Sequence, residues 1–402
     1  MNTHQPTIVI LGAGRIGRGF VADLFAAAGY RLVLVDQSAE LVAALRAAGR
    51  YTVVCAENAE RRQDHVIAGY EAYDTGQHVE VARAVAIADL LAVAVFPDAF
   101  GAVAHSLLPG LAQRHQERPD AALDILLCAN LSHAAAHFRA ALDAAPLAAA
   151  AAQTAVPEEM QAYLDTRVGL VETLVMRMVA DPPAAERERE PLLVWTNGLA
   201  QFPVDGRAFR GPLPDVPGLR PVNDMRAEET RKLYTYNMCH AALAYLGSLR
   251  RHDLTVDCLA DPWVRNEAEA ALDEISRALQ AEYGFASDEM ARWNAGVIAQ
   301  TDNPTLGDRV ARHGADPRRK LKRSDRLVGP ALLARTHGIP PVHLARAIAA
   351  AFRFSNPVDP GAVYIRERVA AVGLPVAVAE VCELTSEEDD LRALICEAYE
   401  TF

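Results

Sequence analysis

Thr7-Ile-Val-Ile-Leu-Gly12-Ala-Gly14-Arg15-Ile16-Gly17-Arg-Gly-Phe20 decides the reading of the whole chain. An unbroken apolar run leads straight into G-x-G-x-x-G, and apolar residues then recur at helical spacing to Ala28. Arg31-Leu-Val-Leu-Val-Asp36 follows as a second run, so the order is strand, helix, strand. Each glycine answers a physical demand: Gly12 permits the tight turn, Gly14 lets a pyrophosphate approach the backbone, and Gly17 lets helix and strand pack closely. Arg15 and Ile16 lie between them at the opening of the helix, where unpaired N–H groups and the positive end of the helix dipole favour an anion. Asp36 stands 24 residues beyond Gly12 (36 minus 12), at the end of the second strand. There it would accept from ribose hydroxyls and repel a 2′-phosphate, so the expected cofactor is NAD rather than NADP.

Further strands are expected at Tyr51-Thr-Val-Val-Cys55, Leu90 to Phe96, Ile125-Leu-Leu-Cys128 and Arg167-Val-Gly-Leu-Val171, with helical patterns between several of them. Ala134 to Ala152 reads as helix with a break at Pro146. The proline-bounded charge run Asp181 to Pro191 reads as a linker or surface loop, and proline and glycine cluster from Phe202 to Pro221. After Asn223-Asp224 the pattern is helical almost throughout, roughly 225–250, 260–283, 287–300, 326–337, 341–353, 361–373 and 386–401. The expected architecture is an N-terminal α/β domain, a doubly wound parallel sheet of Rossmann type over residues 1–190, followed by a mostly α-helical domain over 191–402.

The 402 residues carry 40 basic and 52 acidic side chains, a net charge of −12. Such a chain has no bulk attraction to nucleic acid or to an anionic membrane. The first apolar run is too short for a signal sequence, and no stretch reaches the roughly 18 apolar residues of a membrane span. Six cysteines at 55, 128, 239, 258, 382 and 396 form no C-x-x-C pair. That argues against a disulfide framework or a zinc clamp and for a reduced, cytoplasmic protein. The expected assembly is a monomer or homodimer.

Only three of the basic residues are lysines: Lys232, Lys320 and Lys322. Lysine can lose its proton near neutral pH and arginine cannot, so the position of each is informative. Lys232 sits in Glu229-Thr-Arg-Lys232-Leu-Tyr-Thr-Tyr-Asn237-Met-Cys-His240, early in an apolar helix. At about 100° per residue, Asn237 lies about 140° and His240 about 80° from Lys232, so the three share one broad face. Oxidising an alcohol with NAD needs a base, a donor to the developing alkoxide and a group that orients the substrate, roles these residues fit in that order. The same letters would suit an ordinary amphipathic helix with one snorkelling lysine and a core histidine. No tyrosine stands four residues before any lysine, and Cys and His are not clustered as a zinc-dependent alcohol dehydrogenase would want, which leaves a metal-free lysine mechanism.

Several segments together resemble the polyol-specific long-chain dehydrogenases, the mannitol dehydrogenase family. They are Gly12 to Phe20, Arg231 to His240 with Ala244-Tyr-Leu-Gly247, Arg319-Lys320-Leu with Asp325-Arg-Leu327, Phe209 to Gly218, and Asn303-Pro with Asp308-Arg-Val310. The likeness is strongest to the branch of mannitol-1-phosphate 5-dehydrogenases. It implies a lysine base, Lys232, and two asparagines holding the reacting oxygen, Asn237 and the Asn130 of Leu127-Cys-Ala-Asn130. It also implies a substrate that is a polyol, or a polyol phosphate such as mannitol 1-phosphate, interconverted with its ketose.

Two departures bear on the pocket. Ala129 stands where the sugar-phosphate branch typically carries an acid, and Met176 precedes Arg177 where an Asp is common. Arg177 is a candidate substrate contact. Pro317-Arg-Arg-Lys-Leu-Lys-Arg-Ser-Asp-Arg326 is the most basic stretch of the chain, and Arg319 with Lys320 would grip a phosphate. A solvated surface or subunit contact would account for the same run. A sugar-acid oxidoreductase of the same superfamily and a non-catalytic dinucleotide sensor remain open as alternatives.

Overall fold

The computed structural model describes residues 5–149 and 158–402. Its strands are β1 (Thr7–Leu11), β2 (Arg31–Asp36), β3 (Arg50–Ala56), β4 (Arg62–Ala68), β5 (Glu71–Asp74), β6 (Leu90–Val93), β7 (Leu123–Leu127), β8 (Val168–Glu172), β9 (Val179–Ala180), β10 (Val194–Thr196), β11 (Phe202–Asp205) and β12 (Leu219–Val222). Six of them form a sheet in the order β5-β2-β1-β6-β7-β8, every pairing parallel. Successive residues face opposite sides: Ile8, Ile10, Leu32 and Leu34 join one apolar cluster, while Val9, Leu11, Val33 and Val35 join another. Both faces are covered, which is why these strands read as continuous apolar runs instead of alternating ones. The strand order reverses at β1 and β6, and the crevice beyond their carboxyl ends is where such sheets take ligands.

The Tyr51–Cys55 run forms as β3 but does not enter this sheet. It pairs antiparallel with β4 and parallel with β10, giving a second sheet in the order β4-β3-β10-β9. β4 was hidden in the sequence because it is an edge: Arg-Gln-Asp-His-Val-Ile-Ala presents mostly exposed polar residues, and Ile67 alone is buried. Pairing of β10 with β3 carries the first unit past residue 190. The chain divides into two compact units, Met1–Glu228 and Glu229–Phe402, so the division expected at 190 falls inside the first. The 181–191 run is no linker: it contains a short helix, Ala184–Arg189, Glu186 pairs with Arg62 at 3.0 Å, and Glu190 accepts from the Thr52 N–H at 2.8 Å.

The second unit is built from helices, among them Met238–Leu249, Pro262–Tyr283, Ser287–Thr301, Val328–Thr336, Val342–Arg353, Pro360–Val372 and Asp389–Glu400. Local signals set their ends. Asp261 accepts from the N–H groups of Trp263 (2.9 Å) and Val264 (3.3 Å) with Pro262 at the first helical position, and Gly284 closes that helix at φ 73°. No helix among the described residues is long and apolar enough to cross a membrane.

The junction of β7 with the chain after β11 rests on one buried acid. Asp124 accepts from the N–H groups of Arg210 (2.7 Å) and Gly211 (3.0 Å), and a Cβ on Gly169 would lie 2.1 Å from its Oδ1. Asp124→Ala strands both amides at about 1–3 kcal/mol each. Its urea midpoint should fall well below wild type with the m-value unchanged; an unmoved midpoint would contradict this account of the junction.

Candidate active site

The first unit supplies the glycine-rich turn. Gly12 has φ 97° and donates its N–H to Val35 O at 2.8 Å. A Cβ there would lie 2.5 Å from Ala94 O and 2.8 Å from Val95 Cγ1, just past the end of β6. A Cβ on Gly17 would lie 1.9 Å from Gly12 O, whereas nothing stands within 4 Å of the same position on Gly14. The protein itself requires the outer two glycines, and the middle one leaves open the cradle that a phosphate would fill. Arg18 N–H bonds Gly14 O at 3.0 Å to begin the helix, which then widens into a π segment over Gly17–Ala22. Asp36 ends β2 half-buried and uses Oδ1 to accept from the Ser38 N–H at 2.9 Å, leaving Oδ2 for another donor. The side chains of Arg15 and Ile16 have other engagements: Arg15 is ion-paired with Asp181, and Ile16 packs on a core cluster.

Asn130 lies exposed beyond the end of β7, four residues before the helix Ala134–Ala149 (134 minus 130). It is not that helix's cap, because Glu172 takes the Ala135 N–H at 3.0 Å. Arg177 departs from expectation. It is buried, ion-paired with Asp23, and donates to Gly19 O (2.8 Å) and Leu199 O (2.9 Å). A guanidinium out of water must be paired, and this one is paired within the protein instead of with a substrate.

The second unit carries the lysine. The expected helix 225–250 forms as Met225–Lys232, a π segment Leu233–Asn237, and Met238–Leu249. The widening has a local cause: the Thr235 hydroxyl donates to Arg231 O at 2.6 Å and accepts from Trp293 Nε1 at 2.8 Å, competing for a carbonyl of the helical ladder. In a turn closed by i→i+5 bonds, residues five apart come onto the same face, so the π segment aligns Asn237 with Lys232 more closely than α-helical arithmetic does. Arg231 anchors the turn, pairing with Glu289 and lying 3.9 Å from the Trp293 ring centroid.

Burial, then the charge of Arg326, lowers the Lys232 pKa to about 8 against the pull of Glu229. Burial, then His313, lowers that of His240 to about 3, so its imidazole is neutral. The His240 ring packs 4.7 Å from that of His313, and among the described residues its buried Nε2 has no hydrogen-bond partner. The basic run is largely neutralised from within. Arg319 reaches Asp316 (3.0 Å) and Asp325 (3.3 Å), Arg323 reaches Glu388 (2.8 Å), Arg326 reaches Asp325 (2.8 Å), and buried Lys320 donates to His313 O.

The chain matches the mannitol dehydrogenase Rossmann domain over residues 6–218 and the mannitol dehydrogenase C-terminal domain over residues 224–393. It belongs to the mannitol dehydrogenase family. Solved structures of similar fold include a D-sorbitol dehydrogenase in substrate-free form, with TM-score 0.83, 14% identity, and coverage of 98% of this chain and 93% of that one. Mannitol 2-dehydrogenase of Pseudomonas fluorescens, solved as a ternary complex with NAD and D-mannitol, gives TM-score 0.71 and 15% identity, covering 99% and 92%.

Against this mannitol dehydrogenase frame, the residues that sequence reasoning passed over are neighbours of those it named. Thr235 and Trp293 shape the lysine turn, and His313 packs on His240 from a segment some 70 residues away (313 minus 240 is 73). Phe96, just past β6, is 85% exposed, a large apolar side chain left in solvent; as the end of an apolar run it gives no signal of its own. The two glycines also make opposite forecasts. Gly17→Ala forces backbone apart and should cost about 1–3 kcal/mol in thermal or urea unfolding, while Gly14→Ala should stay within about 0.5 kcal/mol of wild type. Equal stabilities would contradict the assigned roles.

Proposed function

We propose that this family member is an NAD-dependent polyol dehydrogenase, interconverting a sugar alcohol and the corresponding ketose by hydride transfer with no metal in the chemical step. The observation that carries the reading is a lysine whose pKa burial brings to about 8, one π turn from an asparagine and on the same helix as a neutral histidine with a vacant ring nitrogen. The empty space at Gly14, the required closeness at Gly12 and Gly17, and the acid at the end of β2 fit a dinucleotide without a 2′-phosphate. Gly12, Gly14, Gly17 and Asp36 would hold NAD, which would supply the acceptor for the hydride of the carbinol carbon.

The side chains do the rest. Lys232, neutral above about pH 8, takes the hydroxyl proton onto Nζ. The Asn237 amide donates to the developing alkoxide, and Asn130 is the second amide that the family resemblance assigns to that oxygen. His240 Nε2 exchanges a hydrogen bond with a substrate hydroxyl and fixes its orientation. For a phosphorylated substrate such as mannitol 1-phosphate, Arg319 and Lys320 would have to leave Asp316, Asp325 and His313 O. Those engagements favour the uncharged polyol.

The direct test is a panel of free and phosphorylated polyols, ketoses and sugar acids read by NADH absorbance. Turnover should be best with free polyols, and an enzyme idle on every polyol and polyol phosphate would sink the reading. Asp36→Ser should shift selectivity toward NADP, measured as the ratio of kcat/KM for the two cofactors; an unchanged ratio removes Asp36 from the ribose site. Lys232→Ala should lose about 10²- to 10⁴-fold in kcat with NAD affinity retained. Lys232→Arg should be nearly as poor, because guanidinium keeps its proton, and a fully active arginine variant would exclude lysine as the base.

A further inference from the structure

Asp23, Cys55 and His65 are separated by 32 and 10 residues, and no spacing marks them as a set. The fold brings them together. Asp23 lies on the helix that continues from the glycine-rich turn, Cys55 on β3, and His65 on β4 opposite β3, paired with Val53. A carboxylate oxygen, the sulfur and a ring nitrogen all lie within 4.8 Å of one another. His65 Nδ1 is 2.7 Å from Asp23 Oδ1 and 3.8 Å from Cys55 Sγ, so one ring nitrogen faces both neighbours while a single N–H can serve only one. Metal bonds of about 2.0–2.3 Å put tetrahedral corners roughly 3.3–3.8 Å apart. The sulfur to nitrogen separation already has that span, and the oxygen to nitrogen pair needs to open by a fraction of an ångström.

Oxygen, nitrogen and sulfur from one residue each form a donor set suited to Zn²⁺, which is borderline in softness and indifferent to distortion. The surroundings fit. Arg177 holds Asp23 through Oδ2, which orients the carboxylate and leaves Oδ1 facing His65, as supporting hydrogen bonds do around metal ligands. Thr196 Oγ1 stands 3.7 Å from Cys55 Sγ. Aspartate and thiolate bring two negative charges to the ion, and the Arg177 guanidinium paired with Asp23 leaves the group with one net positive charge, offset in part by the exposure of His65 to water. Asp23 and Cys55 are buried, while the His65 side chain is 40% exposed and gives the ion its way in.

We propose that Asp23, Cys55 and His65 bind one Zn²⁺, with water as the fourth ligand, and so tie the β3–β4 hairpin to the helix that follows the glycine-rich turn. Binding releases the Cys55 thiol proton to solvent and leaves the His65 proton on Nε2, freeing Nδ1 for the metal. The ion has no part in hydride transfer, and the site stands whether or not the dehydrogenase reading does.

The full-length protein, cleared of metal by a chelator, should be titrated with Co²⁺ and followed by absorption. Wild type should develop thiolate-to-cobalt charge-transfer bands and tetrahedral d–d bands that saturate at one equivalent and disappear when Zn²⁺ is added. Cys55→Ala and His65→Ala should lose these bands, with Zn²⁺ affinity falling more than about 100-fold, and Cys396→Ala should keep them. His65 is half-exposed, so the metal-free His65→Ala protein should match wild type by circular dichroism and thermal midpoint, which separates lost ligation from lost folding. Zn²⁺ should raise the thermal midpoint of wild type and leave those of the two ligand variants where they were. A wild-type protein without the charge-transfer band, or a band that survives either ligand substitution, would overturn the site.

Discussion

Taking an ammonium group out of water weakens its hold on its proton, and the chemistry proposed for this protein depends on that cost being imposed at Lys232. The chain is rich in arginine and poor in lysine, and its buried arginines are held by internal partners. Arg114 donates to the carbonyls of Ala86, Ala88 and Ala122, Arg177 is paired with Asp23, and Arg231 lies between Glu289 and the Trp293 ring. Those groups hold structure together. Lys232 is lowered to about 8 by burial and by the positive charge of Arg326, which makes it the kind of group that can change protonation during a reaction near neutral pH. His240 is pushed far below its ordinary range by desolvation and then by His313, so in the proposed reaction its neutral ring would hydrogen-bond and not compete as a base.

Backbone geometry gives these side chains their arrangement. π segments occur in the helix after the glycine turn and in the turn between Lys232 and Asn237. A widened turn forgoes regular α-helical bonding and is retained where it re-aims side chains. At the second of them Thr235 is the local cause, since its hydroxyl engages the Arg231 carbonyl while the Trp293 indole holds it in place.

The parallel sheet was legible because both of its faces are buried, so β1, β2, β6, β7 and β8 announce themselves as apolar runs. β4 is not, because an edge strand is polar by necessity. The first unit runs past 190 because β10, at Val194–Thr196, pairs with β3, a long-range contact that the letters do not mark. Gly12, Gly17 and Asp36 followed from the demands of one turn and one strand end, which are local. Arg177, His313 and the Asp23, Cys55, His65 cluster are products of long-range packing: each sits beside residues far from it in the chain. The six cysteines argued against a metal on spacing, yet spacing in sequence bounds only local sites, and Cys55 meets Asp23 and His65 through sheet pairing and a helix. The basic run misled for a related reason: its charge is visible in the letters, while Asp316, Asp325 and Glu388, which neutralise much of it, are identified as partners only in the folded chain.

The central claim is that burial sets the proton affinity of Lys232 and that this lysine exchanges the substrate's hydroxyl proton. The measurement that bears on it most directly is the pH dependence of kcat/KM in both directions. Oxidation requires the neutral amine, so its kcat/KM should rise with pH, about tenfold per unit at the acid end, and level off above about 8. Reduction of the ketose requires the ammonium, so its kcat/KM should be level below about 8 and fall above it. Profiles governed by a group near 6.5, the ordinary histidine value, or flat through this range in both directions, would contradict the account.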